Sequence, residues 1–356
     1  MRSIKFITRI AYHLKTLQTA IKMTTGSLRQ RNNGNKQKLY QNVSPTTNGG
    51  TTSLQSKLAN ISDELQHATQ ASTHRLWTRA VIAASVMIVV YFYSQQRNSN
   101  ETKFALIKEK LPLRIQKFEC SKSYKAEIRR YPNCVPKKCG RFVSDQLVEE
   151  DEVDKLLNLA RTILSMAGSS GGASILNLHT GALSYKEQFV NAYRVPKVVA
   201  EIQEHHLTVY NTVKNKIKKA IAEQFGIPAE SLYLTDPTFF SRLTNATART
   251  MNDEYWHEHI DKDTYESFHY TSLLYLNTYK KDYKGGRFIF IDGSNGNLTK
   301  SAIEPKKARV SAFTSGAENL HHVEQVTEGE RYAITISFTC DPDQAISDLQ
   351  IKTPNL

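Results

Sequence analysis

LHHVEQVTEGERYAITISF, residues 320–338, is the stretch on which the reading of this chain turns. Its second half, RYAITISF, is dense in β-branched and aromatic residues and follows a turn-forming Gly329, so it predicts a strand. Side chains on a strand alternate between faces, which puts Arg331, Ala333 and Thr335 on one of them. His321 and His322 open the stretch, ahead of Arg331.

Upstream, WHEHID (residues 256–261) sets His257, His259 and Asp261 at alternate positions, one face of an extended chain. An oxygenase iron takes two imidazoles and one carboxylate on one side and keeps the opposite positions open. His259-x-Asp261 offers two such ligands, and His321 or His322 on a separate strand offers the third. A dicarboxylate that chelates the metal at one end needs a cation at the other. Arginine suits, because its planar fork matches a carboxylate bidentately. Arg331 is that candidate, with the Thr335 hydroxyl on the same face. Local alternation does not choose among the ligands in WHEHID or between the paired histidines.

Working outward, SLYLT, FFSRLT, TSLLYLN, GGRFIFID and RVSAFT are further short strand-like runs between turn residues. The part before them reads as helix. Asp151 is placed to cap a helix with Leu156, Leu157, Ala160, Ile163 and Leu164 on one side, ending before Gly168. Residues 169–182 read as a Gly/Ser-rich loop, and residues 196–225 as one long helix ending at Gly226. Helices first and strands afterwards indicate an α+β domain built on a mostly antiparallel sandwich or barrel.

The net charge of +13 raises the possibility of a nucleic-acid partner. Its distribution argues against one. Residues 1–79 hold 12 Lys and Arg against Asp63 and Glu64, whereas the remaining 277 residues hold 35 basic and 32 acidic groups. The excess belongs to an N-terminal tail, residues 1–79, expected to be mostly disordered: the Asn, Gln, Thr, Ser and Gly content of residues 24–60 predicts disorder, and residues 1–23 show a basic, helically spaced apolar pattern. The tail runs into AVIAASVMIVVYFY, residues 80–93, inside a charge-free stretch of 17 residues, 80–96. At ~1.5 Å per residue that stretch is about 26 Å long, close to the ~30 Å of a hydrocarbon core, and predicts one transmembrane signal anchor. The basic side stays cytoplasmic, which places the C-terminal part in the ER or Golgi lumen or outside the cell. All four cysteines (Cys120, Cys134, Cys139, Cys340) and the sequons at Asn100, Asn245 and Asn297 follow the anchor. Three of the cysteines fall in CSKSYKAEIRRYPNCVPKKCG, residues 120–140, with no fourth ligand nearby for a metal, so disulfides are expected in one of three connectivities. Residues 97–140 are expected to form a stalk and this Cys-rich segment.

H-x-V-x-x-V-x-x-G-x-R-Y, from His321 to Tyr332, resembles the distal half of the prolyl 4-hydroxylase-type 2-oxoglutarate/Fe(II) oxygenases. W-H-x-H-x-D-x-x-T-Y, TSLLYLN, GGRFIFID and RVSAFTSG resemble that family's preceding segments in the same order, over about residues 118–345. The resemblance implies a double-stranded β-helix (jelly-roll) catalytic domain at residues 141–345, with flanking helices and a short tail at 346–356. It implies His259, Asp261 and His321 as ligands of Fe(2+). It implies Arg331 for the far carboxylate of 2-oxoglutarate, with Tyr275 and Thr335 beside it. His257 is then a neighbour on the same face, and His322 an exposed residue by alternation. L-ascorbate as the reductant, and a peptidyl Pro or Lys side chain of a secretory-pathway protein as substrate, are further implications. A membrane-anchored binding module that keeps the fold without catalysis is the competing class.

Overall fold

The computed structural model describes residues 77–91, 101–293 and 298–350. Residues 77–91 are helical and expose their apolar side chains, Trp77, Met87 and Val89 among them. The Ser85 hydroxyl donates to the Val81 carbonyl (2.8 Å), so the one polar interruption is satisfied within the helix. Among the described residues no helix is long and apolar enough to cross a membrane. Residues 92–96 of the expected span lie outside the described residues, as do the tail 1–76, Asn100, Asn297 and residues 351–356.

The strand-rich half forms two facing sheets. The larger runs in the order β2 (Arg114–Phe118), β3 (Cys139–Ser144), β13 (Val310–Thr314), β9 (Tyr270–Tyr275), β16 (Arg331–Thr339), β8 (Tyr233–Leu243), β5 (Ala173–Leu176), β6 (Ala182–Lys186) and β4 (Gly168–Ser169), with β7 (Gln188–Asn191) also paired to β6. The smaller has the order β1 (Glu101–Ala105), β12 (Thr299–Ile303), β11 (Phe288–Asp292), β14 (His321–Val323). A separate pair joins β10 (Tyr283–Gly285) to β15 (Val326–Gly329). This sheet-rich core with helices on one side matches the expected jelly-roll oxygenase fold.

Two cores explain the layering. β16 alternates cleanly: Tyr332, Ile334 and Phe338 enter one core, and Ala333 enters the other. The first core lies between the large sheet and two helices, Glu150–Met166 and Glu204–Phe225. It packs Leu156, Ala160, Ile163, Val213, Ile217 and Ile221 against Phe142, Phe240 and Leu274. The second lies between the sheets and is made of Val143, Leu273, Tyr275, Phe288, Phe290, Ile303, Phe313 and Ala333. Each fully buried side chain of this size contributes about 1.5–3 kcal/mol. The functional residues stand on the face of the second core.

Several local expectations are corrected. The first helix starts two residues earlier: Glu149 is its cap, in a reciprocal box with Glu152, and Asp151 sits in the first turn, where its charge favours the positive helix end. The long helix is two, Pro196–Glu201 and Glu204–Phe225, broken at Ile202 and Gln203 and closed by Gly226 at φ 68°. Part of the expected loop 169–182 is strand β5, whose partner β8 supplies backbone bonds a loop would lack. The expected stalk holds β1 and β2, each hydrogen-bonded into a sheet. Their charged, half-exposed sequences fit sheet edges and hide them from a search for apolar alternation. The cysteines pair as Cys120–Cys139 and Cys134–Cys340. The second bridge spans 206 residues of sequence, a loop length at which chain entropy alone makes a crosslink worth about 5 kcal/mol through the unfolded state. Such bridges persist in oxidising compartments.

Candidate active site

His259, Asp261 and His321 converge. Each offers one ligand atom, and these atoms lie within 4.8 Å of one another. Nε2 of His259 and Nε2 of His321 are both 3.5 Å from Asp261 Oδ1. The two histidines are locked together by backbone. His259 N–H donates to the His321 carbonyl (2.9 Å), and His321 N–H donates to the His259 carbonyl (3.1 Å). That reciprocal pair continues the small sheet by one bridge beyond β14.

The rings are fixed as well. Nδ1 of His259 donates to the His257 carbonyl (2.9 Å), and Nδ1 of His321 to the Asn319 carbonyl (2.8 Å). With Nδ1 carrying the proton, each Nε2 presents a lone pair towards the shared point. Phe288 stacks on the His321 ring at 4.8 Å, and Phe313 meets it edge-on at 5.0 Å. Burial pushes the His321 imidazole down to about 4, so it is neutral at physiological pH, as a ligand must be. Burial also opposes charge on His259, but the Asp261 carboxylate outweighs it and holds the His259 pKa above its ordinary value. Asp261 is the counterpart. Burial would raise its carboxyl, yet the two histidines hold it below the usual carboxylate range. Its second oxygen, Oδ2, is buried without a hydrogen-bond partner. Two oriented lone pairs, one carboxylate and an unmet buried acceptor fit a divalent cation with a two-histidine, one-carboxylate preference.

The strand picture of WHEHID is corrected here. His259 alone makes a bridge, and Asp261 opens a helical turn, Asp261–Thr264. Asp261 therefore reaches the metal point by a turn and not by alternation. His257 is not on the ligand face: its side chain is 65% exposed, and Nε2 pairs with Glu254 Oε2 (2.7 Å). Its contribution is its carbonyl, which orients His259. His322, expected to be exposed, is half-buried opposite Ile289, and its Nε2 is buried without a partner.

Arg331 starts β16 and is 1% exposed. Its Nε donates to the Gly286 carbonyl (2.9 Å), and its Nη2 is buried without a partner. Gly286 has φ 67°, and a Cβ there would come within 3.0 Å of Arg331 Cδ, so the glycine is what lets the guanidinium pass. The Tyr275 ring lies 5.5 Å from the guanidinium carbon, and its hydroxyl is hydrogen-bonded to Ser311 Oγ (3.1 Å). Thr335, two positions along from Ala333, is half-buried and in register with Leu273.

The sequence reading missed the group that holds the Asp261 turn. Lys262 Nζ reaches Glu127 Oε1 (3.0 Å), the Glu266 carbonyl (2.7 Å) and the Phe268 carbonyl (3.2 Å), one acceptor for each of its protons. Glu127 also takes Nε2 of buried His269 (2.5 Å). Nδ1 of His269 accepts from the backbone N–H of disulfide-bonded Cys340 (3.1 Å). Only the third spatial partner of Lys262 reveals this tie, and no sequence spacing encodes it.

The family model of the 2OG-Fe(II) oxygenase superfamily matches residues 246–339, a span that contains all six candidate residues. The chain is 44% identical over 303 residues to 2-oxoglutarate and iron-dependent oxygenase domain-containing protein 3 of Rattus norvegicus, covering 81% of this chain and 94% of the relative. It is 51% identical over 232 residues to the protein of the same name from Homo sapiens, covering 64% and 71%. Among solved structures it is similar to a prolyl hydroxylase in complex with a hypoxia inducible factor oxygen degradation domain peptide fragment from Trichoplax adhaerens. That likeness has a TM-score of 0.40 at 15% identity and covers 63% of this chain and 90% of the other. On its identity to the first two relatives over most of their length, the chain belongs to the family of 2-oxoglutarate and iron-dependent oxygenase domain-containing protein 3, dioxygenases that use Fe(II) and 2-oxoglutarate.

Proposed function

We propose that this dioxygenase hydroxylates a prolyl or lysyl side chain of secretory-pathway proteins from a single-pass type II membrane position. In this reading His259, Asp261 and His321 hold the iron, and Arg331 takes the far carboxylate of 2-oxoglutarate, with Tyr275 and Thr335 beside it. One observation carries the assignment of roles: buried unmet polar atoms of opposite kind, Asp261 Oδ2 at one end and Arg331 Nη2 at the other. Bound Fe(II) supplies the activation of O2 that is coupled to decarboxylation of 2-oxoglutarate to succinate and CO2. The chain's own part is to keep the His321 imidazole neutral, to aim both imidazoles, and to hold the co-substrate's far end. Phe288, Phe290 and Phe313 keep the inter-sheet side of His321 apolar. L-ascorbate serves as the reductant of the iron.

A peptide substrate is supported by a cleft of about 390 Å³ whose wall includes Ile175, Phe239 and Tyr265. Tyr265 closes the Asp261 turn, its N–H donating to the Asp261 carbonyl (2.8 Å). The membrane position rests on the charge-free run 80–96 and the basic tail before it. The lumenal side is supported by the two disulfides and by the exposed sequon at Asn245.

The test is succinate formation by the full-length protein with Fe(II), 2-oxoglutarate, ascorbate and a secretory peptide pool. It is paired with mass spectrometry for hydroxylation lost when the protein is removed from cells. No turnover above the His259→Ala background, and no lost hydroxylation, would leave a non-catalytic module as the better reading. Endoglycosidase-sensitive sugar on Asn245 is expected. Digestion of the catalytic domain by protease outside sealed microsomes would reverse the orientation.

A further inference from the structure

The end of the site that faces the co-substrate has one donor more than the sequence pattern supplies. Tyr283, on β10, is 3% exposed, and its hydroxyl is buried without a hydrogen-bond partner. The same is true of Arg331 Nη2. The two side chains flank one glycine. A Cβ on Gly286 would lie 3.0 Å from Arg331 Cδ and 3.1 Å from Tyr283 Cε2, so both pack over the same Cα. Gly285 and Gly329, both in the left-handed region, hold β10 and β15 together in the register that puts Tyr283 there.

A buried donor with no acceptor costs about 1–3 kcal/mol, and more when it is charged. Two of them side by side around one glycine are suited to an acceptor with several lone pairs. A carboxylate has two oxygens and can take both. Tyr275 is differently disposed, since its hydroxyl already has Ser311 as partner. Burial keeps the Tyr283 phenol protonated far above neutral pH, with Arg331 opposing only in part, so the hydroxyl is available as a donor.

We infer that the Tyr283 hydroxyl donates to the distal carboxylate of 2-oxoglutarate alongside Arg331, making Tyr283 a second specificity-determining residue for the co-substrate. The inference rests on the proposed role of Arg331. It goes beyond that role because Tyr283 stands outside the motif residues that resemblance assigns.

The experiment compares two ligands that differ at one end. The full-length protein is loaded with Mn(II), and dissociation constants are measured by calorimetry for 2-oxoglutarate and for 2-oxovalerate, which lacks the distal carboxylate. Tyr283→Phe is expected to weaken 2-oxoglutarate about tenfold, the loss of one hydrogen bond to a charged group. Binding of 2-oxovalerate is expected to be unchanged. Arg331→Met is expected to erase the preference for 2-oxoglutarate altogether. Equal binding of both ligands by Tyr283→Phe and wild type overturns the inference. A parallel loss for both ligands does so too, because it assigns Tyr283 to packing. If wild type itself shows no preference for 2-oxoglutarate, the role of Arg331 fails first and Tyr283 with it.

Discussion

The two ends of the site lack opposite things. At the iron end lone pairs are in surplus: two Nε2 atoms are aimed by Nδ1–H bonds to backbone carbonyls, and Asp261 Oδ2 has no donor. At the anchor end donors are in surplus, Arg331 Nη2 and the Tyr283 hydroxyl. A cation completes the first and an anion the second. Each end carries a desolvation cost that a bound ligand of the fitting charge would remove, so the two ligands together are expected to stabilise the native state by mass action. The difference teaches that the proposed iron and far-carboxylate ends are built from separate residue sets, so that a substitution at the anchor end is expected to leave the metal cluster intact.

The largest expected effect is at the iron end. His321→Ala removes a buried proposed ligand whose ring also fills the box of Phe288 and Phe313. Metal affinity is expected to fall by more than the ~10–100-fold that follows loss of an outer-shell partner. Metal content of the purified full-length protein and Fe(II)-dependent succinate formation are the measurements. Metal retained at wild-type level would show that the triad is not the metal site. Next comes the anchor end. Arg331→Met is expected to keep the metal content of wild type and to lose about 100-fold in 2-oxoglutarate affinity, the scale of a charge-assisted pair. Loss of metal in this variant would break the separation of the two ends.

The same contrast explains what could be read from the sequence. Arg331 was legible because it sits on a regular strand, where a period of two fixes the face, and β16 keeps that period through Ala333. His321 was legible through its spacing to Arg331. Asp261 does join His259 and His321 in one cluster, but not for the local reason of alternation: it projects from a turn, and alternation would equally have recruited His257. Family register, and not strand geometry, made that choice. Tyr283 was hidden because it lies before two left-handed glycines, where no periodicity applies and only the folded hairpin brings it to Arg331. β1 and β2 were hidden because edge strands carry charge where interior strands carry apolar side chains. Glu127 could not be found at all: its two side-chain partners, Lys262 and His269, are joined to it only by the fold.

Glu127 gives a middle-sized test of how far the iron end extends. Glu127→Gln removes the negative charge that faces the largely buried Lys262 ammonium, next in sequence to Asp261, and leaves the shape almost unchanged. The Asp261 turn then loses one of its ties to the disulfide-bonded segment between Cys120 and Cys139. Metal affinity is expected to fall about tenfold, as for an outer-shell partner. The ratio of 2-oxoglutarate to 2-oxovalerate affinity is expected to stay as in wild type. A changed ratio with unchanged metal affinity would place Glu127 on the wrong side of the comparison.

The smallest effect concerns the histidine that local sequence could not separate from the proposed ligands. His257→Ala deletes a mostly exposed imidazole paired with Glu254, an interaction of the kind worth at most about 1 kcal/mol. It keeps the His257 carbonyl, and that carbonyl holds His259 in its metal-facing orientation. Metal affinity is therefore expected to stay within about twofold of wild type, measured by competition with a chelator. The backbone contribution can be separated from the side chain, because the same prediction holds for any residue that leaves the main chain in place, but not for proline, whose fixed φ would turn the carbonyl away. A loss in His257→Ala as large as in His321→Ala would mean that the imidazole reaches the metal, and the surplus of acceptors at the iron end would then count a third histidine.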